Sequence, residues 1–410
     1  MTQTLTLKLL KTLTADAAAI RGKAILEPAG GPHDKVFPPT HAVDKNETKA
    51  GAKYAFETRR IAGAPVECVL LDSVQSQANR MEEALQALWQ DKRISLPVIA
   101  VDFGFAREIG TVTSLSAPHR IADAILRDSQ LDERPFRFTE LGKSFTDASP
   151  KDASSMLRVC PTGLVWGIWD STGPKGGLGA KFARVVTSEI VGIGAQRGSK
   201  TASRIDPVSI MTKAAEIYES TDPEEGWTHD AKTARQDKKG APVKLKDGKT
   251  SNANHSNVPP TIDIVAGGVT IDRAEQTVVI SLAGLRKLGF GSPTNGHAAR
   301  TVLAALALIG VLAAQDRGHD LRSRCLLVPL EGKALTLQAV HKDGKTTTLD
   351  LTLDEALTLY KQAVAELPEE LAWKSAPGEP LATLKPSPKL MHLVMRSREL
   401  AATGAIEEEA

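Results

Sequence analysis

The 410 residues are 41% hydrophobic and carry a formal net charge of only +2, enough apolar chain for one large or two medium globular domains. A near-neutral total neither demands nor excludes a nucleic-acid partner, so the distribution of charge has to decide. Three scattered cysteines, Cys68, Cys160 and Cys325, exclude a disulfide framework and a zinc knuckle and fit a reducing cytoplasm.

Strands and helices alternate along the chain, which predicts an α/β or α+β fold. The start, MTQTLTLKLLKTL, lacks the basic segment and long apolar run of a signal peptide. Residues 19–27 read as a first strand opening into a loop rich in Gly, Pro and charge. YAFETRRI and PVECVLLD form a predicted strand pair turning around Ala62 to Ala64. SVQSQANRMEEALQALWQ follows as a helix capped by Asp72 or Ser73. Val74, Ala78, Met81, Leu85 and Leu88 share its apolar face, leaving Gln75, Asn79 and Arg80 on others. LPVIAVDF reads as a strand, PHRIADAILRDSQL as a helix, and TGLVWGIWD and ARVVTSEIVGIGAQRG as strands. Alternation puts Trp166 with Ile168 on a packed face and Trp169 on the more exposed one.

Thr221 to Pro260 has almost nothing apolar to bury and reads as a mobile insertion. From Lys232 to Lys249 it carries seven basic residues against Asp237 and Asp247. TIDIVAGGVTID and QTVVISLAGL then suggest a strand pair. Val302 to Ala314, closed by Gln315, Asp316 and Arg317, is too short for a membrane span and reads as a buried core helix. CLLVPL and LTLQAV are predicted strands, and two helical segments close the chain.

WDSTGPKGGLGAKFAR, 169–184, looks at first like a nucleotide loop. Lys175 follows Pro174 and Lys181 follows Ala180, so the Walker A pattern fails; Phe182 stands where a dinucleotide fingerprint needs its third glycine. What is left is close backbone approach at Gly176 and Gly177 with Lys175, Lys181 and Arg184 around it, suited to a phosphodiester chain. The next segment, GIGAQRGSKTASRIDP, alternates Arg197, Lys200 and Arg204 with Ser199, Thr201 and Ser203, cations and short hydroxyls that can grip a strand's backbone. Arg158 to Arg204 holds seven basic residues against Asp170 and Glu189. The nine histidines show no HExxH or other close helical pair, and no metal or cofactor is expected.

Residues 162–207, together with CVLLDSVQSQANRMEEAL at 68–85, resemble the backbone subunit of type I-G (formerly I-U) CRISPR effector complexes, within the repeat-associated mysterious protein (RAMP) superfamily. The resemblance implies an α+β fold with an RRM-like (ferredoxin-like) core in 19–220 and 261–345, bearing large thumb and finger insertions. Residues 221–260 would be the flexible basic insertion and 346–410 C-terminal helices. It implies a cytoplasmic subunit that holds crRNA by its sugar-phosphate backbone and stacks with copies of itself into the helical backbone of a Cascade-like complex. Other effector subunits and the target DNA strand complete the expected partners, with no membrane. It further implies that Ser73, Gln75, Asn79 and Arg80 face the guide, where amides at a helix start favour phosphate. Some RAMP relatives cut RNA, which makes an endoribonuclease the alternative and Asp170 and Asp206 the residues to suspect. No acid–base constellation accompanies either, so a non-catalytic role is expected.

Overall fold

The computed structural model describes residues 2–42, 53–172, 180–222 and 224–402. The chain divides into two compact units, one built from the N-terminal residues, Lys53–Gln196 and Val269–Leu390, the other from Arg197–Gly268 and residues after Leu390. In chain order the main elements are β1 (Ala19–Pro28), β2 (Phe56–Ile61), β3 (Ala64–Asp72), α1 (Val74–Gln90), α2 (Pro161–Trp166), β4 (Ile168–Trp169), β5 (Lys181–Phe182) and β6 (Val186–Ile193). They continue with β7 (Lys200–Arg204), β8 (Val258–Asp263), β9 (Arg273–Ser281), α3 (Pro293–Asp316), β10 (Cys325–Pro329), β11 (Thr336–Val340) and α4 (Leu353–Ala365).

The first unit is organised by one large sheet in which β11, β1, β9, β6, β3 and β2 are successive antiparallel neighbours. Along the chain β1, α1, β6, β9, α3 and β11 run strand, helix, strand, strand, helix, strand. Their spatial order puts the fourth strand first, followed by the first, third and second. Alternation creates the buried face: Ile20, Ala24 and Leu26 of β1 and Ala274, Val278 and Ile280 of β9 are buried. α3 is apolar all round, and every residue from Val302 to Ile309 is fully buried, as its composition requires. Among the described residues it is the one helix long and apolar enough to cross a membrane, and it serves here as core. Gly310 lets it approach α2, since a Cβ there would stand 2.8 Å from the Trp166 ring.

Local chemistry explains the helix that matters most for the site. Ser73 is extended (φ −77°, ψ 164°) and its hydroxyl accepts the Ser76 amide, so Ser73 rather than Asp72 caps α1. Asp72 is wholly buried and accepts from Gln77, Arg80 and Arg322. Gln77 in turn accepts from Ser188 and Gln276. This chain of amides and hydroxyls ties α1 to β6 and β9, and pairing makes its burial tolerable.

Several expectations change. The segment 162–170 is the short helix α2 followed by two strand residues. Pro161 opens the helix at a position where a missing N–H costs nothing, and all six helical residues are buried. Residues 118–131 break into a 3₁₀ turn, a four-residue helix and a strand, because Asp123 accepts the Ile125 amide and restarts the chain. TIDIVAGGVTID does not pair with QTVVISLAGL: β8 pairs with β7, and β9 sits between β1 and β6. Residues 346–410 are not only helical, since Thr346–Asp350 joins the large sheet and Ala382–Pro386 lies in a second sheet beside Ile99–Asp102.

The second unit begins at Arg197, earlier than composition suggested. The predicted mobile insertion has a defined course over 224–260, held by polar groups in place of an apolar core. Tyr218–Glu219 pairs with Trp227–Thr228, and bridges join Ser220 to Ala234 and Gln236 to Pro242. Asp237 accepts the amides of Lys239 and Ala241. Asp206 accepts those of Val208 and of Ser256, the latter 50 residues along the chain from it, and these bonds hold its pKa below the ordinary carboxylate value of 3.8. A depressed folded pKa contributes stability that is present above the ordinary value and is lost as pH falls through the lower one. Asp206→Asn should therefore speed hydrogen exchange at the Val208 and Ser256 amides at neutral pH. As pH falls below the lowered pKa of the folded carboxyl, wild type and variant should converge.

Candidate nucleic-acid interface

The first unit carries a cleft of about 790 Å³ assembled from three stretches of chain. Gln75 and Asn79, one turn apart on α1, form one wall. Pro118, His119 and Arg120 form a second, and the β4–β5 ribbon with Ser171 and Arg184 forms the third, over a floor that includes Trp166, Ile168 and Phe182. In the ribbon Lys181 is paired with Trp169 and Phe182 with Ile168. The period of two turns Ile168 and Phe182 inward and leaves Trp169 and Lys181 outward.

Arg120 fixes the floor. Its guanidinium donates to both Glu82 carboxylate oxygens at 2.6 Å and to the Gly167 carbonyl at 2.9 Å. Both side chains of this ion pair are almost fully buried. Burial pushes the Glu82 carboxyl up to about 7, against the opposing pull of Arg120. Gly167 itself has φ +81°, and a Cβ there would lie 3.0 Å from the Arg184 amide, so both the turn and the close approach require glycine. Arg184 donates to the Trp166 carbonyl at 3.1 Å, and burial followed by repulsion from Arg120 lowers its pKa below the usual guanidinium value. Lys181 holds its ammonium 5.1 Å from the Trp169 ring centroid. Among the described lining residues there are three cations and no carboxylate.

Of the residues selected from sequence, Gln75, Asn79, Lys181 and Arg184 come together here. Ser73 is committed to its cap. Arg80 is turned to another side of α1, where it bonds Asp72 and the carbonyls of Asp320 and Leu321, and it does not line the cleft. Lys175, Gly176 and Gly177 lie outside the described residues. Arg197, Ser199, Lys200, Thr201 and Arg204 belong to the second unit, so the two basic segments fall in separate compact bodies. There Lys200 pairs with Asp263 at 3.3 Å and Arg204 donates to the Ser256 carbonyl. The basic excess counted between Lys232 and Lys249 is partly balanced by acids outside that window, Glu216 on Lys244 and Glu219 on Arg235.

Sequence reading missed His119 and Arg120. The partner that gives Arg120 its meaning, Glu82, is 38 residues away, and no local pattern links them. The two suspected carboxylates are structural: Asp170 is buried against Arg137 at 2.5 Å, and Asp206 holds two backbone amides. Among the described residues no group of three or more His, Cys, Asp or Glu side chains is arranged to hold a metal.

These features define an α+β protein with a cleft whose described lining residues include cations and no carboxylate. Residues 20–197 match the family model described as CRISPR-associated protein GSU0053, a stretch that contains every lining residue of the cleft. The match spans 178 of the 410 residues and makes this part of the chain similar to a CRISPR-associated protein family. No curated protein matches the chain.

Proposed function

We propose that this protein binds crRNA along its sugar-phosphate backbone and acts as the repeating backbone subunit of a type I-G, Cascade-like surveillance complex in the cytoplasm. The observation that carries the proposal is the cleft in which Lys181 and Arg184 stand with no acid among the described lining residues, while Arg120, paired with Glu82, holds the floor. A polyanion of any sequence is attracted by such a lining, and pairing to the target strand can supply specificity. The strand order of the large sheet, fourth–first–third–second, is the arrangement expected of an RRM-like core and supports the same reading.

Assembly with neighbouring copies and other effector subunits has support in the second unit. Ile205 is 86% exposed, Met211 75%, and Val208 and Ile262 73% each, apolar side chains of the kind a partner surface covers. The protein holds RNA without cutting it: His119 is the one histidine of the described lining and no carboxylate stands with it to complete an acid–base pair.

Titrating the purified protein into labelled repeat–spacer RNA tests this reading. Binding should be sequence-tolerant, salt-sensitive and tighter for longer RNA, with regular arrays visible by electron microscopy. Absence of binding at low salt would overturn it. Site-specific cleavage lost in His119→Ala would move the chain to the endoribonuclease class.

A further inference from the structure

Trp169 is 58% exposed in a cleft whose other large apolar residues are buried. Hairpin register explains why it points outward but not why an indole should stand there, since a polar residue would fill an outward position at less cost. Its cross-strand neighbour Lys181 sets a positive charge beside the ring. On the α1 wall, Gln75 and Asn79 are exposed and their side-chain amides make no hydrogen bond among the described residues. Each amide offers donors and an acceptor. The volume, about 790 Å³, falls within the range of pockets that enclose a ligand of nucleotide size.

We propose that the cleft is a nucleotide subsite: one unstacked base of a bound RNA strand lies on the Trp169 ring, its edge faces Gln75 and Asn79, and its phosphate is held by Lys181 and Arg184. This rests on the reading of the chain as an RNA-binding subunit and adds to it a contact to a base. Stacking suits a subunit that must accept any guide, because every base has a π-face, and side-chain amides that both donate and accept can meet different base edges. The site therefore contributes affinity without imposing sequence.

The test uses the full chain and a short oligouridylate. Trp169→Ala should weaken binding about 5- to 150-fold, the range one base–aromatic contact supplies, and leave the salt dependence unchanged because no charge is removed. Trp169→Phe should keep most of the affinity while abolishing the quenching of tryptophan fluorescence that RNA causes in the wild type. Wild-type affinity in Trp169→Ala, or undiminished quenching in Trp169→Phe, would overturn the subsite while RNA binding itself stood. Failure of the wild type to bind any RNA would instead remove the functional reading beneath it. Uridine monophosphate is the control for source: saturation at the oligomer's affinity would overturn the assignment to a strand.

Discussion

Arg120→Met should destabilise the protein by about 3–5 kcal/mol in urea unfolding, the cost of leaving one member of a buried ion pair without its partner. Glu82 is enclosed and has Arg120 on both oxygens, so losing the guanidinium leaves a buried carboxyl with neither its partner nor water, which must take up a proton. Glu82→Met should cost a similar amount by stranding the cation. The double replacement should recover most of the loss, because two apolar side chains of similar volume need no mutual charge. Stability and cleft geometry would then part: without the bond from Arg120 to the Gly167 carbonyl, the β4 turn loses its anchor, and RNA affinity should stay low although the fold is restored.

The pH dependence of urea unfolding identifies the same pair. The folded carboxyl titrates near 7 and an ordinary one near 4.5, so the folded state binds the extra proton between those values. Its contribution is therefore most favourable at and below 4.5 and declines as pH rises to about 7. Glu82→Gln should flatten that window. A profile unchanged by the substitution would show that Glu82 is not the titrating group.

Lys181→Gln combined with Arg184→Gln should lower RNA affinity roughly 25-fold near 0.1 M salt and reduce the slope of log K against log salt by about 1.4, close to 0.7 for each phosphate contact on a single strand. The loss should be uniform across unrelated sequences, since the two cations meet phosphate and not base edges. Lys200→Gln with Arg204→Gln serves as the comparison. Those cations are already engaged by Asp263 and the Ser256 carbonyl, so the change in slope should be smaller. An equal change would place the second unit's ribbon on the RNA as firmly as the cleft.

Parts of the site were legible because they depend on neighbours in sequence. Ser73 precedes a helical repeat and caps it, and the helical period separates Gln75 and Asn79 from the buried Ala78, Met81 and Leu85. A strand's period of two separates Trp169 from Ile168 even though the residues before Gly167 turn out helical. Other parts were not legible. Counting charge between Lys232 and Lys249 missed Glu216 and Glu219, and composition gave no sign of Asp206, whose two carboxylate oxygens accept amides of that unit's turns from outside the counted segment.

The amino-acid sequence by itself determined the alternation of elements, the core helix around Val302–Ile309, the absence of a working Walker or dinucleotide loop, and the presence of cations where a phosphate could be met. Only the tertiary structure decided which of those cations act together. Lys181 and Arg184 joined Gln75, Asn79 and the unforeseen Arg120 in one cleft, Arg80 was drawn away to Asp72, and the segment from Arg197 onward went to another body. Periodicity records which side of an element faces the core, because that depends on residues a few positions apart. A salt bridge such as Glu82–Arg120 depends on how distant elements meet, and its energy comes from a burial that no local pattern expresses.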